Sequence, residues 1–121
     1  MIAPRRTIPK ASSIAYTARV RDVSGVLVVS SAVLSIEWSV VDHADGTVTG
    51  SGSLAPSDVI FDTLQTDQIW TPDATGYNFR HTLPGSAFPN GSRLYDGLYT
   101  ITPTDGDPFF LVFQVVTRDR Y

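Results

Sequence analysis

Apolar residues that return at every second position, in short runs broken by Gly, Pro, Asp and Ser about every ten residues, set the strongest constraint on this chain. From Val33 to Asp42, Leu34, Ile36, Trp38 and Val40 fall on one face of an extended strand, while Ser35, Glu37 and Ser39 fall on the other. One side packs and the other meets water. Helices would need a different period and different residues. Of twelve acids only Glu37 is a glutamate, and of nine bases only Lys10 is a lysine, so the usual surface-helix formers are nearly absent. Val, Ile, Thr, Tyr, Phe and Trp, the residues of pleated half-buried strands, dominate what remains. The expected fold class is all-β.

With 121 residues the chain can bury roughly two thirds of its unfolded surface, enough for one core and too little for two. It has no Cys, which excludes a disulfide scaffold, a thiolate metal site and a Cys nucleophile. No apolar run approaches the ~20 residues that cross a bilayer, and Pro4 and Pro9 interrupt the start where a signal peptide would need its apolar stretch, so no secretion or membrane segment is expected.

Five bases, Arg5, Arg6, Lys10, Arg19 and Arg21, precede the first acid at Asp22; the remaining hundred residues hold four bases against twelve acids. This predicts a basic N-terminal arm on an acidic body. Met1 to Ser13 shows neither apolar period and reads as an extended tail, residues 1–13, leaving a sandwich over residues 14–121.

Within the body, Ile14 to Arg21 is the first expected strand, Asp22 to Gly25 a hairpin turn, and Val26 to Val29 its return. After Val33 to Asp42, His43-Ala44-Asp45-Gly46 turns the chain into Thr47 to Leu54, a Gly- and Ser-rich edge strand of weak register. Val59-Ile60-Phe61 reads as a strand, with one helical turn capped by Ser57 as the alternative. Asp62 to Gly76 is a long polar loop carrying Trp70. Tyr77, Phe79 and His81 share a face of the next strand, opposite Asn78, Arg80 and Thr82, and Pro84 to Ser92 is a second loop. Leu94 to Thr102, an Asp105-Gly106 turn and the nearly continuous apolar run Phe109 to Thr117, expected to be covered on both sides, close the domain. Seven or eight short strands at this spacing predict an antiparallel sandwich.

The segment Tyr95-Asp96-Gly97-Leu98-Tyr99-Thr100-Ile101-Thr102, its Asp105-Gly106 turn and the strand from Phe109 resemble the last hairpin of bacterial and phage immunoglobulin-like modules, where a D-G-x-Y-T-(I/V)-T strand precedes a D-G turn and a terminal apolar strand. The resemblance implies an immunoglobulin-like β-sandwich, with Tyr99 as a tyrosine corner whose hydroxyl bonds upstream backbone and Trp38 as the core tryptophan. The chain departs from the pattern in lacking a Cys pair and in its long Asp62 to Gly76 loop. As a whole it also looks like small virion proteins of tailed bacteriophages, the decoration, cement and connector subunits of heads and tails. That resemblance implies a non-enzymatic structural protein of the virion, assembled in the host cytoplasm, whose partners are other capsid or tail proteins and copies of itself.

On this reading the arm docks on a neighbouring subunit, Arg5, Arg6 and Lys10 through charge-assisted hydrogen bonds and Ile2 and Ile8 as apolar anchors. Three arm charges without interleaved aromatics, on an acidic body, do not favour nucleic acid. His43 in a turn and His81 on a strand lack a partner at metal-ligand spacing, and no G-x-S-x-G elbow is present, so no metal, cofactor or catalytic set is expected. The groups Asp42, Asp45, Gly46 and Asp105, Gly106, Asp107 lack the spacing of a calcium loop and are explained by turn geometry. Asn90-Gly91-Ser92 matches a glycosylation acceptor and reads as a turn. The alternative function is a carbohydrate- or cell-surface-binding module in which Trp70 stacks a ligand, with Tyr77, Phe88 and Tyr95 completing an aromatic platform; the competing structural reading makes Trp70 a plug for the open end of the sandwich.

Overall fold

The alternating segments become eight strands and one helical turn: β1 (Arg6–Pro9), β2 (Ile14–Ala18), β3 (Val33–Asp42), β4 (Val48–Leu54), α1 (Pro56–Val59), β5 (Ile60–Gln65), β6 (Tyr77–Leu83), β7 (Leu94–Pro103) and β8 (Phe109–Arg118). This computed structural model describes residues 5–22, 24–67 and 74–119. A five-stranded sheet has the order β1-β8-β7-β3-β4 and a three-stranded sheet the order β2-β6-β5. All neighbours are antiparallel except β1, which runs parallel to β8. The all-β expectation is met.

Each sheet buries one face against the other. Ile36, Val40, Tyr95, Tyr99, Ile101, Leu111, Phe113 and Val115 from the larger sheet meet Ile14, Tyr16, Ala18, Phe79 and Leu83 from the smaller. Rings hold the centre. Tyr16 lies 5.2 Å from Tyr99 and 4.9 Å from Phe113, and Phe79 meets Tyr99 edge-on at 4.9 Å, geometries that add to plain area burial. The Phe113 ring lies over Gly97, where any Cβ would overlap it, so the glycine in this strand is a packing requirement. Burial raises the Tyr16 hydroxyl to about 12; it has no hydrogen-bond partner among the described residues.

Several expectations need correction. The N-terminal segment is not a free arm throughout. Arg6 to Pro9 pairs with Val115 to Arg118, and Ile8, only 7% exposed, joins the core. Four residues bounded by prolines are too few to reveal a period, but a parallel partner gives Ile8 an inward position. Leu34 does not pack with Ile36: a bulge between Val33 and Ser35 breaks the alternation and leaves it 68% exposed. β8 is covered on one face only, and its outward Phe110 is 50% exposed.

Around residue 59 both readings occur in turn. Pro56 opens a single helical turn, whose N-cap is Ala55 rather than Ser57, and β5 follows at once. The first strand ends at Ala18, three residues early. Beyond it the chain is held by Asn78, whose Oδ1 accepts from the Val20 amide at 2.6 Å while its Nδ2 donates to the Val20 and Val28 carbonyls at 3.1 and 2.9 Å. Asn78, which the alternation sets on the face opposite Tyr77 and Phe79, is buried as well, its amide satisfying backbone groups of this irregular segment.

β4 is the expected edge strand. Its glycines answer to Trp38, which is half-buried and spreads across them: a Cβ at Gly52 would stand 2.8 Å from the indole Nε1, and one at Gly50 3.0 Å from Ala87 Cβ.

Candidate interaction surface

Because β8, β7 and β3 turn alternate residues away from the core, the five-stranded sheet presents a broad outer face. Register sets Val112 beside Leu98 and Ser39, Phe110 beside Thr100 and Glu37, Val116 beside Leu94, and Val41 beside Val48. Val48 is 60% and Phe110 50% exposed, so large apolar side chains stand on the face that the alternation in β3 leaves to water.

A hydrogen-bonded polar ridge crosses this face between the apolar groups. Arg5 Nη2 donates to Gln114 Oε1 at 3.1 Å, Gln114 Nε2 donates to Asp96 Oδ1 at 3.0 Å, and Asp96 Oδ2 pairs with His43 Nδ1 at 2.5 Å. Partial burial pushes the Asp96 carboxyl up, but the bonds from His43 and Gln114 and the charges of His43 and Arg5 outweigh it and hold the group below its ordinary range. At one end, Asp42, almost fully buried, takes Arg93 Nε at 3.2 Å and the Ala44 amide at 3.0 Å. An open, shallow groove lined by Ser92, Arg93, Leu94 and Val116 to Asp119 borders this end. A flat, part-apolar face with fixed charges suits a macromolecular surface, whereas small ligands require concave enclosure.

The arm residues are dispersed. Arg5 is engaged by Gln114, Arg6 Nη1 donates to the Ala15 carbonyl at 3.2 Å, Ile8 is in the core, and Lys10 is exposed while its amide bonds the Arg118 carbonyl at 2.9 Å. Ile2 and Trp70 lie outside the described residues. The proposed aromatic companions of Trp70 do not form a platform: Tyr77 is 1% exposed and Phe88 and Tyr95 are 0% exposed. Asp42 and Asp45 serve turns, Asp45 Oδ1 accepting the Thr47 amide at 2.9 Å, the bond that chiefly lowers its carboxyl. Gly46 and Gly106 take the positive φ of their turns, +75° and +105°. Among the described residues no three His, Cys, Asp or Glu side chains gather to hold a metal ion.

The tyrosine expectation shifts by four residues. Tyr99 is buried, but its hydroxyl meets a side chain, His81 Nδ1 at 2.9 Å, and burial lowers the pKa of that histidine. Tyr95 makes the upstream backbone contact instead, accepting from the Asn90 amide at 3.1 Å and donating to its carbonyl at 3.4 Å. No protein-family model, curated protein or solved structure matches this chain.

Proposed function

We propose that this chain is an immunoglobulin-like, non-enzymatic structural subunit of a bacteriophage particle, a decoration, cement or connector protein that docks on neighbouring virion proteins. The strand order supports the fold. An antiparallel trio β8-β7-β3 faces β2-β6-β5, β4 is added beside β3, and β1 runs along β8, the pattern of an immunoglobulin sandwich with one extra edge strand. Tyr95 supports it independently, because a tyrosine near the start of the sixth strand of such a sandwich bonds backbone a few residues upstream.

The observation that carries the docking role is the exposure of Phe110 and Val48 on the outer face of the larger sheet, beside Val112, Leu98 and Val41. Docking therefore rests on this face, with exposed Lys10 at its margin, more than on Arg6 and Ile8, which the sandwich itself uses. The test is antibody labelling of particles sedimented from cells in which a phage encoding this chain is replicating. Regular labelling of intact particles is expected; recovery of all the chain in the unassembled fraction would overturn the proposal.

A further inference from the structure

Sheet edges expose unpaired amides and carbonyls, and natural sandwiches guard them with charge, proline, bulges or covering segments. Three of the four edges here are guarded. β1 is four residues long and carries Arg6 and Pro9. The same Arg6 reaches across to the Ala15 carbonyl of β2. β5 contains Asp62, which accepts the Ser30 amide at 2.8 Å, and its pairing is irregular between Ile60 and Gln65.

The fourth edge has no such device over its last five residues. β4 reads Val-Thr-Gly-Ser-Gly-Ser-Leu, without charge or proline, and its bulge is confined to the Val48 end. Among the described residues Val48 to Leu54 makes no backbone hydrogen bond other than to β3. Ser51, Gly52 and Ser53 are exposed in succession, so the outer face and the edge are open there, while Trp38 lies against Gly52 on the inner side.

We propose that two copies of this chain pair antiparallel through residues 50–54 of β4, joining their five-stranded sheets into one of ten strands about a two-fold axis at Gly52. This stands apart from the particle reading and needs no other protein. A strand related to itself by a two-fold axis is necessarily antiparallel, the arrangement β4 already makes with β3. Each Leu54 falls opposite Gly50 of the second copy, and Ser51 falls opposite Ser53, a favourable hydroxyl pair. No charge on the strand opposes the approach of an identical one. Five residues bury little area, so the pair is weak, with a dissociation constant on the order of 10⁻⁵ to 10⁻³ M, a value suited to subunits concentrated by a larger assembly.

Sedimentation equilibrium from about 20 µM to about 1 mM, the range this constant requires, tests it. The wild-type chain should rise with concentration from 13.2 kDa toward twice that mass. The double variant S51K/S53K, which sets like charges opposite one another, should stay monomeric with an unchanged melting temperature, and mixing it with S51E/S53E should restore the dimer. Phe110→Asp, on the outer face away from this edge, should dimerise as the wild type does. A wild-type chain that stays monomeric at the highest concentration, a lysine variant that associates as well as the wild type, a charge-swapped mixture that stays monomeric, or loss of the dimer in Phe110→Asp would each overturn the proposal.

Discussion

Removal of the Asn78 side chain should cost more than loss of most core methyl groups. Its amide makes three bonds, one accepted from the Val20 N–H and two donated to the Val20 and Val28 carbonyls. Val20 is 2% and Val28 7% exposed, so water replaces these bonds poorly in Asn78→Ala. At ~1 kcal/mol for each bond, with one amide left unsatisfied, the loss is about 3 kcal/mol, or roughly 10 °C in melting temperature for a domain of this size. Asn78→Asp sharpens the test. A carboxylate still accepts from Val20 but loses both donors and faces two carbonyl oxygens, so at pH 7 it should be worse than alanine. The fold would raise the pKa of that carboxyl, so the penalty is full above the folded value and is relieved as the pH falls through it. Urea denaturation of the three proteins at pH 7 and pH 4.5 measures this. An alanine variant within about 0.5 kcal/mol of wild type, the range of ordinary surface substitutions, or an aspartate variant no worse than alanine at pH 7, would refute the reasoning.

Other outcomes follow from the core and its edge. Tyr95→Phe strips the Asn90 amide of its partner and should cost about 1–2 kcal/mol, more than Tyr99→Phe, whose half-buried partner His81 can turn to water; paired thermal melts decide the order. His81 is held below its ordinary value of 6.5 by burial. The unfolded chain therefore takes up a proton that the fold refuses, and stability should fall as the pH drops below 6.5; melts from pH 7.5 to pH 5 should show this slope in the wild type and a flatter one in His81→Gln. Gly97→Ala drives a methyl into the Phe113 ring and should cost at least 1–3 kcal/mol by chemical denaturation, whereas Gly106→Ala, with open space and only a strained φ of +105°, should cost about 1 kcal/mol.

The sequence reveals this fold where the alternation is long. β3 and β7 lie close to their expected limits because long runs of period two leave little freedom of register, and β8 does so because the Asp105-Gly106 turn fixes its start. It conceals the fold where tertiary contact overrides pattern. Nothing local distinguishes Tyr95 from Tyr99, four apart on the same face; only the loop ending at Asn90 decides which hydroxyl meets backbone. A nearly continuous apolar run such as Phe109 to Thr117 reads as covered on both sides, yet here its outer half is the exposed face. Asn78 carried a legible signal, a lone amide between Tyr77 and Phe79, but its partners lie 50 and 58 residues away. The ridge from Arg5 to His43 is assembled from four separate segments, and no spacing within any one of them announces it. The β4 glycines look like weakness in sequence and are in fact the footprint of Trp38.

The docking role of the outer face is tested most directly by incorporation of Phe110→Asp into particles, measured as the fraction of chain that co-sediments with them. The account predicts that the variant melts as the wild type does, because Phe110 is already half exposed, but stays in the unassembled fraction while the wild type sediments with particles. Equal incorporation of the two proteins would contradict it.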